Sequence, residues 1–339
     1  MSFNKIEHDM TDGDGAWYAE AARFGFEYAE DEVARPRGAG RKGRKAQPKR
    51  EAVLSELTDS SAESLDENFR ITYVPARYEA IWLLDSLRPF AERAVIQDVL
   101  AIVKGGKEAN VYLCEAVPET GYGLIAAKVY RPRAFRNLRN DKMYREGREL
   151  VDSKGQAMKA QDNREMRAIR NKTSFGAMLT HVSWLTYEHM TLQRLHAAGA
   201  SVPMPMGAAE NALLMAYIGD RHQPAPILQS VTLASRSEAE YLFQEVLRNI
   251  DVMLSMGMIH GDLSPYNILY WQEKVTLIDF PQVTFAEGNS NAYRILQRDV
   301  QRVCDYFAPY GVAADAPTIC RRLWNKYVAL PVPDDRRAL

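Results

Sequence analysis

Apolar residues recur along this chain with two periods, and these periods divide it into helices and strands. Apolar residues three or four positions apart predict amphipathic helices over 75–84, 183–196, 238–256, 293–307 and 316–327. Short apolar runs predict strands at 109–116, 124–130 and 212–218, whereas 95–103 fits either a strand or a short helix. A joint rich in Pro and Gly at 118–123 predicts that the first two strands form a hairpin.

Residues 1–70 lack both periods, and we expect them to form a tail. The segment is first acidic, and the stretch 35–50 is then basic and broken by Pro and Gly. Such a segment buries too little apolar surface to offset the entropy lost on ordering. One interpretation is a solvated linker whose charges neutralise each other, and the other is a basic arm that contacts RNA or another acidic partner.

Bulk composition limits the class of protein more than it identifies it. The chain has 339 residues, a net charge of −1 and 46% hydrophobic residues, which suits one two-lobed enzyme with a tail or two smaller domains. Its three cysteines are far apart, so a disulfide framework is not expected. The start has no signal-peptide core, and no apolar run reaches the roughly 20 residues that a membrane span needs. These features predict a cytoplasmic protein without a membrane partner.

A second basic stretch interrupts the pattern at 131–172. It contains thirteen Lys and Arg residues against six Asp and Glu residues. A solvated helix face would explain this composition, and so would a surface that faces phosphate or nucleic acid.

Three polar side chains near 260–282 have the spacing that phosphoryl transfer needs. Asp262 and Asn267 stand five positions apart in His-Gly-Asp-Leu-Ser-Pro-Tyr-Asn, and Asp279 follows a further strand-like run. In this chemistry one carboxylate orients the attacking hydroxyl, while an amide and a second carboxylate hold metal ions. Asp262 is therefore the candidate catalytic residue, and Asn267 and Asp279 are the candidate metal ligands. Asp and Asn also form ordinary turns, but that role does not explain the three residues together.

The strand at 124–130 and the residues around it supply candidate contacts to a nucleotide. Lys128 stands where a strand lysine would reach the phosphates of ATP, and Glu188 on the following helix is its expected partner. Candidate binding positions beside them fall in two groups: a turn with Gly106 and Lys107, and a hinge strand with Met215, Ala216 and Ile218. The glycines would fit a plain β-turn equally well, and the hinge strand would also fit a buried core strand.

Together these motifs resemble the RIO family of atypical protein kinases. The resemblance rests on Gly-Lys-Glu-Ala-Asn-Val-Tyr at 106–112, Lys-Val-Tyr at 128–130, the 215–220 and 260–269 segments, and Ile-Asp-Phe-Pro-Gln at 278–282. It implies an α+β fold of two lobes like a trimmed protein kinase, with a small antiparallel-sheet N-lobe over 71–215 and a helical C-lobe over 216–330. A basic insertion would occupy 131–180, and residues 331–339 would form a second tail.

Membership would also imply chemistry and partners. RIO proteins bind ATP with Mg²⁺ or Mn²⁺ and phosphorylate serine, and some act as ATPases through an aspartyl-phosphate, which by position would form on Asp279. A role in ribosome maturation would make RNA or a ribosomal particle a partner, reached through the basic segments 35–50 and 131–172. Gly105 and Gly261 depart from common forms of the motifs, which favours a bacterial branch and leaves the protein substrate undefined.

Two other classes of function compete with a RIO-type serine/threonine protein kinase or ATPase. A small-molecule phosphotransferase of the aminoglycoside-kinase kind shares the His-Gly-Asp loop, although such enzymes usually have an acidic cleft and 131–172 is basic. A nucleotide-dependent module that binds RNA or ribosomes would use the same basic segments without catalysis.

Overall fold

A six-stranded sheet forms the N-terminal lobe of the chain. The computed structural model describes residues 69–75, 77–106, 108–131, 150–152, 155–158, 164–171, 173–209 and 211–328. The strands are β1 (Arg70–Ile71), β2 (Ile96–Lys104), β3 (Ala109–Ala116), β4 (Leu124–Tyr130), β5 (Pro205–Ala208) and β6 (Ala212–Ala216). Their order in the sheet is β1-β2-β3-β4-β6-β5, and all neighbours are antiparallel except β1 and β2.

Strand β4 lies inside this sheet, and its register sets the direction of Lys128. The Cα of Lys128 pairs with Val111 of β3 on one side and Leu213 of β6 on the other. Neighbouring residues of a strand point to opposite faces. Ala127 and Val129 are fully buried in the core of the N-lobe, so Lys128 projects from the other face, toward the C-lobe.

Helix α1 (Arg77–Glu92) covers the face of the N-lobe sheet that carries Ala127 and Val129. Leu83, Leu87 and Phe90 are buried there, and each such side chain contributes about 1.5–3 kcal/mol relative to exposure. The helix extends well past the predicted end at residue 84 and contains Pro89. Proline removes one helical hydrogen bond, and the packing of the flanking apolar residues keeps the helix in place.

Helix α3 (Ser174–Ala197) is longer than the sequence predicted, because it begins nine residues before 183. Thr173 caps its start, with the side-chain oxygen accepting a hydrogen bond from the Gly176 amide at 3.1 Å. The short helix α2 (Arg164–Arg170) precedes it and packs against it. The helix carries Glu188 toward the N-lobe sheet.

Helices α4 (Arg236–Ser255), α5 (Ala292–Phe307) and α6 (Ala316–Tyr327) build the C-lobe core. Two small antiparallel pairs lie beside them, β7 (Met258–Ile259) with β10 (Thr284–Phe285) and β8 (Ile268–Trp271) with β9 (Lys274–Leu277). These pairs frame the loops at 260–267 and 278–283. None of the helices in the described ranges is both long enough and apolar enough to cross a lipid bilayer.

Strand β6 separates the two hydrophobic cores. Leu213 belongs to the C-lobe core and its neighbour Leu214 to the N-lobe core. The two-lobed α+β prediction is thereby confirmed. The ambiguous segment 95–103 is a strand, since β2 pairs with β1 and β3. Most of the tail at 1–70, much of the basic stretch 131–172 and the end beyond residue 328 lie outside the described residues.

Candidate active site

The loop after β7 is held rigidly by buried hydrogen bonds. His260 is 3% exposed, and its Nε2 lies 3.1 Å from the carbonyl oxygen of Ile278 while its Nδ1 accepts from the Asp262 amide at 3.3 Å. A carbonyl oxygen only accepts hydrogen bonds, so Nε2 is the donor in its contact with Ile278. His260 therefore ties the Asp262 loop to the strand end that precedes Asp279, and its role is structural.

Gly261 occupies a backbone position that only glycine fits. Its φ is 86°, and a Cβ there would lie 2.2 Å from the carbonyl oxygen of Gln282. Its amide donates to the buried carboxylate of Asp299 at 2.8 Å. The glycine at this position thus lets the two loops touch.

Asp262 presents a carboxylate that two other side chains orient. Its Oδ1 accepts from Arg302 Nη1 at 2.8 Å. The Asn267 amide nitrogen lies 2.9 Å from the Asp262 carbonyl oxygen and 3.4 Å from Asp262 Oδ2. The carboxylate is 39% exposed, so it remains accessible to a substrate.

Lys128 joins the two lobes at the same place. Its Nζ lies 2.7 Å from Glu188 Oε1 on α3 and 2.7 Å from Asp279 Oδ1 after β9. Burial would lower the pKa of Lys128, but the charges of Asp279 and Glu188 outweigh it and raise the pKa well above its usual value. Tyr130 also donates a hydrogen bond to Glu188 Oε2. Glu188, at 2% exposure, is thereby fixed by two donors of β4.

Asp279 stands on a strained backbone, with a φ of 72°. Burial by the surrounding protein raises its pKa, but the Lys128 ammonium reverses the effect and lowers the pKa below its ordinary value. The side chain is still 45% exposed. The carboxylate is therefore ionised, anchored by one oxygen and open to the cleft.

The predicted glycine turn and hinge lie around this centre. Gly106 donates its amide to Asn110 Oδ1 at 3.3 Å, and a Cβ on Gly106 would be 2.5 Å from the Ala109 carbonyl oxygen. Lys107 lies outside the described residues. In the hinge, Met215 and Ala216 are the last two residues of β6.

Two backbone groups of the hinge are already used within the protein. The Ala216 amide donates to the Met204 carbonyl at 2.8 Å, and the Ile218 carbonyl accepts from the Ala225 amide at 2.9 Å. The Ile218 amide has no backbone acceptor among the described residues. Of these backbone groups, the Ile218 amide is therefore the donor that remains available to a ligand at the hinge.

Comparison with known proteins identifies the family. The family model described as the RIO domain matches residues 111–319, more than half of the chain. The chain belongs to the RIO family. Among the relatives, the RIO-type serine/threonine-protein kinase Rio1 of Haloferax volcanii is 27% identical over 223 residues, which cover 64% of this chain and 66% of that protein.

Other RIO proteins show the same level of similarity. The serine/threonine-protein kinase RIO1 of Homo sapiens is 27% identical over 269 residues, covering 78% of this chain and 43% of the relative. The match thus spans less than two thirds of the length of either relative. A solved structure, the Rio2 kinase from Chaetomium thermophilum, superposes with a TM-score of 0.47 at 16% identity, over 80% of this chain and 76% of that one.

The side chains at this site of the RIO chain fit a divalent metal ion that prefers oxygen ligands. Asn267 Oδ1 and Asp279 Oδ2 are hard oxygen donors, and neither accepts a hydrogen bond from the described residues. Within the same residues, no group of three or more His, Cys, Asp or Glu side chains could hold a metal ion. Mg²⁺ commonly binds through one or two carboxylates together with substrate phosphates.

Sequence reasoning missed four residues of this RIO site. Arg302, Asp299 and Arg298 all come from α5: Arg298 donates to the Gly261 carbonyl oxygen, and Asp299 and Arg302 hold the loop as described. Burial raises the pKa of the Asp299 carboxyl. Tyr130 lies in the Lys-Val-Tyr motif at 128–130, but the motif does not predict its hydrogen bond to Glu188. The signal in the sequence was weak, because charged residues on an amphipathic helix are usually solvated.

Proposed function

We propose that this chain is an ATP-dependent serine/threonine protein kinase that also hydrolyses ATP. The observation that carries the proposal is the position of Lys128, whose ammonium bridges Glu188 and Asp279 at 2.7 Å each. A lysine held by a glutamate is preorganised to contact nucleotide phosphates, and the aspartate beside it is placed to ligate a metal ion. The names of the relatives, which are serine/threonine-protein kinases, support the same reaction.

Each residue has a role in this reaction. Lys128 binds the α- and β-phosphates and Glu188 fixes its direction, while the adenine contacts the hinge at Met215, Ala216 and the Ile218 amide. The turn at Gly106 and Lys107 covers the phosphates. Asn267 and Asp279 hold Mg²⁺ or Mn²⁺, which neutralises charge that develops on the transferred phosphate.

Asp262 orients the attacking oxygen. A bond forms between the substrate hydroxyl oxygen and the γ-phosphorus, the bond to the bridging oxygen of ADP breaks, and Asp262 accepts the hydroxyl proton. Where water is the acceptor, the same steps release inorganic phosphate. If Asp279 is the acceptor instead, the product is an aspartyl-phosphate, which water then hydrolyses.

An acidic macromolecule is the partner that the charges favour. Arg164, Arg167 and Arg170 are exposed on α2, three positions apart, so they share one face of that helix. This face belongs to the basic stretch 131–172, and we propose that it contacts RNA of a ribosomal particle. Co-sedimentation with such particles should weaken steeply as salt rises, and the triple change of these arginines to glutamine should abolish it.

One incubation tests the reaction. Purified protein with γ-labelled ATP and Mg²⁺ or Mn²⁺ is followed for free phosphate, for label on a protein pool, and for label on a panel of aminoglycosides. Acid-stable label on serine indicates kinase activity, and label released by hydroxylamine indicates the acyl phosphate. Label on an aminoglycoside would favour the small-molecule phosphotransferase, and no turnover of ATP would refute the proposal.

A further inference from the structure

A buried chain of polar side chains connects helix α1 to the glycine turn formed by Gly105 and Gly106. Glu79 of α1 is 9% exposed, and its Oε1 accepts from the Tyr112 hydroxyl at 2.5 Å and from Asn110 Nδ2 at 3.4 Å. Asn110 Nδ2 also donates to the Tyr112 oxygen at 2.9 Å. We call Glu79, Tyr112 and Asn110 the Glu79 relay. Glu79 and Asn110 both precede the segment that the RIO-domain model matches.

The hydrogen bonds of the Glu79 relay can have only one order of donors and acceptors. A carboxylate accepts hydrogen bonds and cannot donate them, and the Tyr73 hydroxyl is a further donor to Glu79 at 3.4 Å. Burial raises the pKa of the Tyr112 phenol, and the hydrogen bond to Glu79 raises it further. The hydroxyl therefore keeps its proton and donates a hydrogen bond to Glu79. The Tyr112 oxygen is then left to accept, which turns the amide NH₂ of Asn110 toward it.

The orientation of the Asn110 side-chain amide decides whether the glycine turn faces a hydrogen-bond acceptor or a donor. With its NH₂ turned inward, Asn110 Oδ1 accepts from the Gly106 amide at 3.3 Å and from Arg131 Nη2 at 2.8 Å. A reversed amide would point two N–H groups at an amide N–H and a guanidinium, which are also donors. The backbone of the turn lies close to its own next residues, because a Cβ on Gly106 would be 2.5 Å from the Ala109 carbonyl oxygen.

We infer that Glu79 is a positioning residue for the nucleotide phosphates, acting through Tyr112 and Asn110 on the glycine turn. The inference rests on the proposed function, because it takes ATP as the ligand of that turn. Helix α1 is then part of the nucleotide site as well as a cover for the sheet. Glu79 contacts no part of the ligand itself, and its effect is confined to ligands that carry phosphate.

The test compares two ligands that differ in phosphate. Dissociation constants of ADP with Mg²⁺ and of adenosine are measured for the wild type, for Glu79→Gln and for Asp85→Asn. Asp85→Asn is the matched control, since Asp85 is an exposed residue of the same helix that loses the same charge. Glutamine keeps the shape of Glu79 but can donate to Tyr112, so the relay loses its single direction.

We expect Glu79→Gln to bind ADP about tenfold more weakly and adenosine with unchanged affinity, as expected for the loss of a hydrogen-bond network to a charged group. The KM for ATP should rise by the same factor while kcat stays within about twofold. Asp85→Asn should match the wild type for both ligands.

Tyr112→Phe gives a second variant that decides the matter if Glu79→Gln does not fold. It removes the central hydroxyl and should also weaken ADP selectively, and the double variant should bind ADP no more weakly than the worse single variant. A variant that loses ADP and adenosine affinity equally, or neither, would overturn the relay. A wild-type protein that binds neither ligand would instead refute the proposed function, and this inference with it.

Discussion

Arg302 Nη1 lies 2.8 Å from Asp262 Oδ1, so a residue of helix α5 holds the carboxylate of the loop after β7. The two residues are 40 positions apart in the chain. Their side chains are 40% and 39% exposed, so the ion pair stands at the mouth of the site. An exposed pair adds little to stability, which points to a role in orienting Asp262.

Replacement of Arg302 should therefore slow phosphoryl transfer without weakening the fold. We expect Arg302→Gln to lower kcat about tenfold with little change in the KM for ATP, and Arg302→Lys to retain part of the rate because a lysine still pairs as a point charge. Steady-state assays measure both constants. Arg294→Gln is the control, since Arg294 is an exposed arginine of the same helix. Equal kcat values for Arg302→Gln and the wild type would contradict the role.

Asp262→Asn should separate chemistry from nucleotide binding. The amide cannot accept the hydroxyl proton, so the rate of transfer should fall about 100- to 10,000-fold. The residue does not contact Lys128 or Glu188, so the affinity for ADP should survive. Radiolabel transfer measures the first quantity and calorimetry the second. Wild-type turnover in this variant would remove Asp262 from the reaction.

Gly261→Ala should destabilise the protein more than Gly257→Ala. Both glycines have a positive φ, 86° and 70°, which adds about 1–2 kcal/mol for an L residue. A Cβ at Gly257 meets nothing within 4 Å, whereas a Cβ at Gly261 would lie 2.2 Å from a carbonyl oxygen. Urea unfolding should show that Gly261→Ala loses at least about 1 kcal/mol more than Gly257→Ala. Equal losses would show that the two loops are not in contact.

The Lys128–Asp279 pair should stabilise the fold over a defined range of pH. The pKa of Asp279 is lowered, so its contribution is present above about pH 4 and is lost as the pH falls through the folded-state pKa. The pKa of Lys128 is raised, so its contribution persists up to about pH 10 and is lost as the pH rises through the folded-state value.

The measurement is the difference in unfolding free energy between the wild type and Asp279→Asn. It should be constant from about pH 5 to about pH 8 and should shrink below about pH 4. In a Lys128→Met background this loss at low pH should be reduced, because the ammonium is the cause of the shift. A difference that grew as the pH fell would reverse the assigned sign.

The local pattern of apolar residues predicted the strands that are short apolar runs and the helices that have one clearly apolar face. Strands β3 and β4 have the predicted bounds, because each is a short apolar run closed by a turn. Helices α4 and α5 begin within two residues of prediction, since one polar and one apolar face alternate clearly. The start of α3 was missed by nine residues, because the segment 174–182 packs partly against α2 and shows no clean stripe. Strand β5 was missed, because four residues are too few to show an alternation of apolar and polar positions.

The sequence by itself determined which chemical groups the protein has and the short segments that carry them, since spacing within a loop or along a strand depends on neighbouring residues. The sequence motifs also predicted that Lys128 pairs with Glu188, but only the tertiary structure decided which other distant groups meet. Lys128 and Asp279 are 151 residues apart, and Glu79 and Asn110 are 31 apart. Such pairs form because two lobes and a helix pack together, and packing depends on the whole set of buried side chains rather than on any local period.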